Sequence, residues 1–335
     1  MERILVTGGT GYIGSHTIIE LYKEGYEIDI LDNLYNSKIT VLDQIEKISG
    51  RRPAFYRIDL LDYAKMDELF AKNHYDLVIH FAGLKAVAES VAQPLKYYET
   101  NVGGTINLLK CMQRHNVNKI IFSSSATVYG TQNTAKLDES MTTGTGITNP
   151  YGETKHVIEE ILKDVADSDP TFSATILRYF NPVGNHPSGL IGENPNDIPN
   201  NLMPIIMKVA TGEIKELNIY GNDYPTPDGT GIRDFIHVVD LAKGHVSTIK
   251  NMKPGIQIYN LGTGKGTSVM EMVRAFEKVS GQKLPYKIAP RRPGDLAECY
   301  ADPQKAEHEL GWKAELTIDD AMRDTIKYLQ NVQAS

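Results

Sequence analysis

Apolar and polar positions alternate over the first 180 residues in a way that predicts repeated strand–helix units. Strands such as 77–79 and 120–122 are uniformly apolar, which is typical of a parallel sheet covered on both faces. The predicted strands are 3–7, 27–31, 54–58, 76–81, 117–123 and 172–179. The predicted helices are 12–25, 38–49, 63–73, about 94–114 and 150–168. This alternation predicts an α/β fold with right-handed crossovers.

The pattern changes after about residue 180, where Asn, Pro and Gly become frequent and long loops are predicted. Helices are expected near 202–211 and 267–279, and a strand followed by a helix at 235–250. A further strand at 257–261 is expected to return to the first sheet. We therefore predict a first domain over 1–180 plus about 235–262. A smaller mixed α/β C-terminal domain would comprise about 181–234 plus 263–335.

Three glycines, Gly8, Gly11 and Gly14, follow the first predicted strand, and a helix is predicted from Tyr12. Glycine at this spacing permits a tight turn and close approach of the backbone to a phosphate. Asp32 ends the second strand, near the distance at which a carboxylate meets the adenosine ribose of a dinucleotide. The alternative is an ordinary strand–turn–helix with a surface aspartate. The pattern predicts a Rossmann-type doubly wound parallel sheet that binds NAD, because a carboxylate repels the 2′-phosphate of NADP.

The charge balance narrows the classes of partner. A net charge of −7 argues against nucleic acid or an anionic membrane surface, and no apolar run is long enough to cross a bilayer. Cys111 and Cys299 are the only cysteines, so no disulfide framework is predicted. The histidines lack metal-ligand spacing, and we expect no metal. Because the first predicted strand starts at residue 3, we expect no signal peptide and a cytoplasmic location.

A second group of candidate residues combines a phenol, an amine and a hydroxyl. Tyr151 and Lys155 lie four residues apart on a predicted helix and therefore share one face. A nearby ammonium and a positively charged nicotinamide would lower the pKa of Tyr151 and make it a usable base. Ser123 and Ser125 lie at the end of the fifth strand, where open α/β sheets bind ligands. The alternative interpretations are a helix-surface pair and a polar turn at a strand end.

Motifs spread over nearly the whole chain carry a resemblance. They are Thr7–Thr17 (TGGTGYIGSHT), Asp32–Leu34, His80–Val87 (HFAGLKAV), Phe122–Gly130 (FSSSATVYG), Tyr151–Lys155, Arg178–Gly184 (RYFNPVG), Asn200–Pro204 (NNLMP), Tyr220–Val238 and Arg292–Asp302. Together they resemble the extended short-chain dehydrogenase/reductase superfamily, and within it the UDP-galactose/UDP-glucose 4-epimerases. The resemblance implies an NAD-dependent isomerase that interconverts UDP-galactose and UDP-glucose. Such an enzyme oxidises C4 transiently, lets the keto sugar rotate, and returns hydride to its other face.

The resemblance also implies roles for individual residues. Tyr151 would exchange the proton of the sugar 4-hydroxyl, Ser125 would bond the 4-oxygen, and Lys155 would bind the nicotinamide ribose. The implied cofactor-binding residues are Gly8, Gly11, Tyr12, Ile13, Gly14, Asp32, Asn33, Asp59, Leu60, Phe81, Ala82, Gly83, Lys85, Asn101, Ser123, Tyr151, Lys155 and Tyr179. The implied substrate-binding residues are Lys85, Ser125, Tyr151, Asn181, Asn201, Leu202, Tyr220, Arg233, Arg292, Asp295 and Cys299.

Cys299 occupies a position that, in the resembling enzymes, borders the sugar 2-position and is either bulky or small. A cysteine leaves space, so we expect UDP-N-acetylglucosamine and UDP-N-acetylgalactosamine to be interconverted as well. The alternatives are a buried cysteine without influence on specificity, or a one-residue shift that places Tyr300 there. The resemblance further implies a homodimer in which helices 94–114 and 150–168 pair as a four-helix bundle.

Three other functions remain open from the sequence. A UDP-pentose 4-epimerase would share the same motifs. A nucleotide-sugar 4,6-dehydratase would need an Asp-Glu pair after the strand-end serine, where this chain has Ala126 and Thr127. A catalytically silent NAD-binding regulator would be expected to lose the tyrosine–lysine pair, which this chain retains.

Overall fold

The computed structural model of the chain describes residues 2–194, 196, 201–292 and 295–333. Asn200 of the predicted Asn200–Pro204 motif, Pro293 and Gly294, and most of the predicted 194–201 loop lie outside the described residues. Among the described residues, no helix combines the length and the apolar composition needed to cross a membrane.

The strands are β1 (Arg3–Thr7), β2 (Glu27–Asp32), β3 (Ala54–Arg57), β4 (Leu77–His80), β5 (Lys119–Ser125), β6 (Lys136–Leu137), β7 (Ser173–Tyr179), β8 (Asn181–Val183), β9 (Leu217–Tyr220), β10 (Ile232–Arg233), β11 (Phe235–His237), β12 (Gly255–Leu261), β13 (Thr267–Ser268), β14 (Tyr286–Ala289) and β15 (Glu298–Ala301). The helices are α1 (Tyr12–Lys23), α2 (Val41–Ser49), α3 (Tyr63–Lys72), α4 (Val87–Ala92), α5 (Pro94–Tyr97), α6 (Gly104–Arg114), α7 (Pro150–Ser168), α8 (Leu202–Ala210), α9 (Val238–Asn251), α10 (Val269–Ser280), α11 (Gln304–Leu310) and α12 (Ile318–Gln333).

A seven-stranded parallel sheet forms the centre of the molecule, in the order β3-β2-β1-β4-β5-β7-β12. Successive side chains of a strand point to opposite faces, so Ile4 and Val6 join one apolar cluster and Leu5 joins the other. Both faces are therefore buried under helices. The predicted Rossmann-type doubly wound sheet is confirmed.

The chain reverses its strand order between β1 and β4, which creates a crevice at the carboxyl ends of these strands. Three short sheets and several helices follow in the C-terminal half: β13-β10-β15-β6, β11-β8 and β14-β9. Their own apolar cluster includes Ile206, Ile219 and Phe276. Most of the chain after residue 180 therefore forms a smaller mixed α/β region, while β12 returns to the large sheet.

Most predicted elements of the first half are confirmed to within a few residues, and α7 spans the predicted 150–168. The predicted helix at 94–114 is more complicated. It consists of α5, a π-helical turn from Tyr98 to Gly103, and α6. Asn181–Val183, predicted as part of an irregular loop, forms the short strand β8 against β11.

Helix α7 begins where it does because of its first residues. The Asn149 side chain accepts a hydrogen bond of 2.9 Å from the Gly152 amide, and Pro150 occupies the first helical turn. Both features favour a helix start, since the cap satisfies a free amide and proline has none to lose. Tyr151 is thereby fixed in the first turn of α7, facing the carboxyl end of β5.

Candidate functional site

The glycine turn after β1 brings backbone directly to the crevice. Gly8 has φ of +72°, which only glycine adopts readily, and a Cβ there would lie 2.7 Å from the Ala82 nitrogen. A Cβ on Gly14 would lie 2.5 Å from the Gly8 carbonyl oxygen. Helix α1 starts after Gly11, which offers no side-chain cap, so its first amides are available to an anion.

The crevice continues past Asp32 at the end of β2. Asp32 is 8% exposed, so it is not the surface residue of the alternative interpretation. Its carboxylate accepts hydrogen bonds from the backbone amides of Thr10 and Leu34, at 3.2 and 2.8 Å. Asn33 donates a bond of 2.7 Å to Asp59 on the neighbouring loop. These side chains form the carboxylate-rich end of the crevice.

The residues at the end of β5 converge with the first turns of α7. Lys155 is 6% exposed, and its ammonium donates a bond of 2.6 Å to the Ser123 carbonyl oxygen. The ammonium lies 6.0 Å from the centre of the Tyr151 ring. The Ser125 side chain lies close enough to the Tyr151 hydroxyl to favour its ionised form. The predicted phenol, amine and hydroxyl thus occupy one small site.

Burial changes the pKa values of both Tyr151 and Lys155. Burial raises the pKa of Tyr151, and the hydrogen bond from Ser125 offsets part of that rise. The predicted lowering of this pKa by Lys155 and a positively charged nicotinamide concerns the protein with bound cofactor and stays a prediction. Burial lowers the pKa of Lys155 to about 8, against an opposing contribution from Glu159. The amine therefore loses its proton more readily than an exposed lysine but is mostly charged at pH 7.

A second cleft opens on the C-terminal side of the same region. Arg233 and Arg292 both contact Asp295, with nitrogen–oxygen distances of 3.2 and 2.8 Å. The Arg292 guanidinium lies 5.0 Å from the centre of the Tyr220 ring. Asn201 lines both the crevice and this second cleft, so the two are adjacent. A cationic cleft with an exposed aromatic ring is suited to an anionic, ring-bearing ligand.

Most of the predicted residues lie along these two clefts. The crevice is lined by Gly8, Gly11, Tyr12, Ile13, Gly14, Asp32, Asn33, Asp59, Leu60, Phe81, Ala82, Gly83, Lys85, Ser123, Tyr151, Lys155, Tyr179 and Asn201. The second cleft is lined by Asn181, Asn201, Leu202, Tyr220, Arg233, Arg292 and Asp295.

Three predicted residues line neither cleft. Asn101 is buried behind the crevice, where its amide bonds the backbone N–H and carbonyl of Leu84. Ser125 lies at the end of β5 near the Tyr151 hydroxyl, whose pKa it lowers in part. Cys299 lies on β15, and its side chain packs with Ala126 against the cluster around Phe180. The role of Cys299 beside the sugar stays a prediction.

The crevice also contains residues that the sequence analysis missed. Glu193 accepts bonds from Lys85 at 3.1 Å and from Asn201 at 2.8 Å, with its side chain 9% exposed. Tyr328 of α12 lines the same cleft. No local signal marks either residue, because Glu193 lies in a loop 108 residues after Lys85.

These features fit a dinucleotide. The glycine turn leaves room that side chains would fill, the start of α1 faces the pyrophosphate position, and a buried carboxylate marks the ribose end. The tyrosine–lysine–serine group lies beside the crevice at the other end. The fold and the site together define a Rossmann-type enzyme that uses a nicotinamide cofactor.

Comparisons with known proteins agree with this class. A model of the NAD dependent epimerase/dehydratase family matches residues 4–262. The UDP-glucose 4-epimerase of Bacillus subtilis (strain 168) is 55% identical over 327 residues, which are 97% of this chain and 96% of that protein. The chain belongs to the NAD dependent epimerase/dehydratase family.

Solved structures give the same result. The crystal structure of UDP-glucose 4-epimerase from Bifidobacterium longum in complex with NAD+ and UDP has a TM-score of 0.95 and 55% identity, and 98% of each chain is covered. UDP-glucose-4-epimerase from Stenotrophomonas maltophila, with bound NAD and formylated UDP-arabinopyranose, has a TM-score of 0.96 and 44% identity, covering 100% of this chain and 99% of that one. NAD is accordingly the cofactor of this chain.

Proposed function

We propose that this chain interconverts UDP-galactose and UDP-glucose by acting on C4 of the sugar. The observation that carries the proposal is the position of Tyr151, Ser125 and Lys155 beside a dinucleotide crevice that adjoins a cleft containing two arginines. The likeness to UDP-glucose 4-epimerases over nearly the whole chain supports the same conclusion.

Tyr151, Lys155 and Ser125 would have different roles in proton transfer. Tyr151 takes the proton from the sugar 4-hydroxyl and later returns it, and Ser125 holds the same oxygen through a hydrogen bond. Lys155 in its ammonium form favours the phenolate by its charge. NAD supplies a reversible hydride acceptor when it is bound. Because burial raises the pKa of Tyr151, formation of the phenolate would depend on the Lys155 ammonium and the positively charged nicotinamide.

Reaction on both faces of C4 requires that one part of the substrate be held while another rotates. We assign the grip on the UDP diphosphate to Arg233 and Arg292, whose charge-assisted bonds are strong. Asn181, Asn201, Leu202, Tyr220 and Asp295 would complete the UDP site, and Lys85 would lie near the sugar. The sugar itself would make fewer contacts and turn about its phosphate linkage.

The remaining cofactor contacts follow the lining of the crevice. Residues from Gly8 to Gly14 and Phe81 to Lys85 would surround the pyrophosphate and nicotinamide, and Asp32 to Leu60 the adenosine. Asn101 would act indirectly, by holding the backbone of Leu84. The division into 1–180 plus about 235–262 and 181–234 plus 263–335 remains our proposal for the two domains. The place of β12 in the large sheet supports it.

We further propose that UDP-N-acetylhexosamines are substrates. Cys299 packs against the same apolar cluster as Ala126, which follows Ser125, and a thiol leaves space for an N-acetyl group. Cys299→Tyr is expected to abolish conversion of UDP-N-acetylgalactosamine and to spare UDP-galactose, because steric rejection discriminates strongly. Cys111→Ala is the matched control, since that thiol is buried on α6 away from the site. Equal activity of the Cys299→Tyr variant on both sugars would contradict the proposal.

We also propose a homodimer that resides in the cytoplasm. The segment around α4, α5 and the π-helical turn exposes several apolar side chains, of which Leu95 is 82% exposed. A second copy of the same face would bury them by pairing this segment and α7 across a twofold axis.

The decisive experiment is incubation of the purified protein with UDP-galactose, without added cofactor, followed by detection of UDP-glucose. Conversion is expected, and Tyr151→Phe should retain bound NAD but lose turnover by about 10²- to 10⁴-fold. A protein that carries NAD but leaves UDP-galactose unchanged would reject the proposal. Parallel reactions with UDP-pentoses and with thymidine- or guanosine-linked sugars would test the pentose epimerase and dehydratase alternatives.

A further inference from the structure

A buried ion pair lies directly behind the proposed active site. Arg178 of β7 donates two bonds to the Glu159 carboxylate, 3.1 Å from Nε and 2.7 Å from a terminal nitrogen. The two side chains are 2% and 0% exposed. A buried pair of this kind gives little net stability compared with apolar residues of similar size. Its presence therefore calls for a role other than stability alone.

The pair is connected to the active site by two routes. Glu159 follows Lys155 by one turn on the same face of α7. The Ser124 hydroxyl donates a bond of 2.5 Å to the Glu159 carboxylate. Ser124 follows Ser123, whose carbonyl oxygen accepts the hydrogen bond of Lys155. The Glu159 carboxylate thus acts on the Lys155 amine by its charge and also binds the end of β5, which accepts the hydrogen bond of that amine.

The charges around Lys155 are unevenly distributed. Among the described residues, the Glu159 carboxylate is the anion that acts on the Lys155 amine. His80 of β4 and Tyr151 of α7 also lie near the amine, and both are uncharged near neutral pH. The His80 ring is bonded to Thr7 and Thr105, and its pKa of about 3 keeps it uncharged.

The Glu159 carboxylate has surroundings of its own. Arg178 and Ser124 bond it, and Tyr129 covers the guanidinium, with its ring centre 4.7 Å away. Glu139 lies farther out, where its carboxylate accepts a hydrogen bond from the backbone N–H of Asn260. The charge of Lys305 favours the ionised form of this carboxylate. The described residues around Lys155 therefore include one close anion and, behind it, one balancing cation.

We propose that Glu159 is a positioning residue that holds Lys155 in its ammonium form, and that Arg178 sets the strength of this effect by neutralising part of the Glu159 charge. The catalytic part of this inference rests on the proposed function, in which the Lys155 ammonium favours the Tyr151 phenolate. The proposed effect on Lys155 itself is independent of catalysis.

According to the proposal, the two members of one ion pair have opposite effects on the pKa of Lys155. Removal of the Glu159 charge leaves the Arg178 cation beside Lys155, so the pKa of the amine should fall below its present value of about 8. Removal of the Arg178 charge leaves Glu159 with Lys155 as its nearest cation, so the pKa of the amine should rise. A pair that only clamps α7 to β7 would give losses of stability in both variants without these opposite shifts.

The test uses the full-length protein as purified, with Glu159→Gln and Arg178→Gln, and with the double variant as the charge-neutral control. The pKa of Lys155 is measured by nuclear magnetic resonance of ¹³C-labelled lysine, and the resonance is assigned with Lys155→Met. We expect a decrease of roughly one unit in Glu159→Gln, an increase in Arg178→Gln, and a smaller change in the double variant. Bound cofactor is quantified in each sample so that charge at the site is matched.

The second measurement is the dependence of kcat on pH with UDP-galactose. Its alkaline limb should move in the same direction as the pKa of Lys155 in each variant. Shifts of equal sign in the two single variants, or no shift, would overturn the proposal even if the enzyme proves inactive on UDP-galactose. Where Glu159→Gln fails to fold, Glu159→Asp and the double variant supply the comparison: the aspartate should keep the amine charged, and loss of charge there would equally overturn it.

Discussion

The ammonium of Lys155 donates its short hydrogen bond to the backbone carbonyl of Ser123, and lies 6.0 Å from the centre of the Tyr151 ring. The amine is therefore fixed by the strand end, and in the proposed mechanism it acts on the phenol through its charge. Because the amine can bond a ribose hydroxyl without releasing Ser123, its position would be retained when the cofactor binds. This geometry fixes the position of the Lys155 charge relative to the Tyr151 ring.

The buried Lys155 should make folding depend on pH in a defined way. Its pKa is about 8 in the folded protein and 10.5 in the unfolded chain, so the unfolded chain binds more protons between these values. Stability therefore rises with pH through this window, from a penalty of about 3 kcal/mol at pH 7. Lys155→Met removes the penalty and the activity together.

The measurement is the free energy of unfolding by urea at pH 7 and pH 10, in both proteins. We expect the value for the wild type to rise relative to Lys155→Met by about 2 kcal/mol between these pH values. The comparison cancels the titration of other groups, such as the tyrosines whose pKa burial raises. Parallel curves for the two proteins would show that the amine titrates normally.

Gly14→Ala should prevent normal cofactor binding. The new Cβ would lie 2.5 Å from the Gly8 carbonyl oxygen, so the turn would have to open. We expect the purified variant to contain less than a tenth of the NAD of the wild type, measured after release by acid. Gly103→Ala is the control, because its Cβ would meet only a Leu61 methyl group at 3.8 Å and should leave the NAD content unchanged. A full NAD content in Gly14→Ala would show that the turn can adjust.

Arg292→Met should weaken binding of the UDP-sugar without slowing the chemistry. Loss of a charge-assisted bond to the diphosphate is expected to raise KM about 10- to 100-fold, with kcat within about 3-fold. Arg291→Met is the matched control, since Arg291 pairs with Asp223 and lines neither cleft. A fall in kcat with KM unchanged would place Arg292 elsewhere in the mechanism.

Leu95→Glu should dissociate the proposed dimer, because it would place a charge in the interface. The expected mass by light scattering at micromolar concentration is two chains for the wild type and one for the variant. Ile288→Glu, at an apolar side chain that is 44% exposed on β14, should leave the mass unchanged. The same mass for all three proteins would exclude this face as the interface.

Much of the fold and of the site could be predicted because its signals are local. The strands of the large sheet are apolar runs, and the rule that parallel strands present ligands at their carboxyl ends predicted that the serines ending β5 would lie at the ligand site, where Ser123 lines the crevice together with Tyr151. The glycine spacing similarly predicted a crevice beside Gly8. The elements that carry these residues lie within the family match at 4–262.

The parts that could not be predicted depend on distant contacts. Strands β6, β10 and β13 have two residues each, which is too short for a period, and they exist only through pairing with remote segments. Glu193 becomes part of the crevice by bonding Lys85, far away in sequence. Asn101 bonds the backbone of Leu84, a contact across 17 residues that no local pattern predicts.

The place of β12 at the edge of the large sheet has a consequence for synthesis on the ribosome. Strand β7 is complete at residue 179, but its outer neighbour ends at residue 261, so a growing chain leaves one side of β7 without a partner while some eighty residues are added. Bare strand edges invite pairing with other chains. The nascent protein is thus most prone to aggregate before Leu261 emerges, which makes this interval the stage at which a chaperone would matter most.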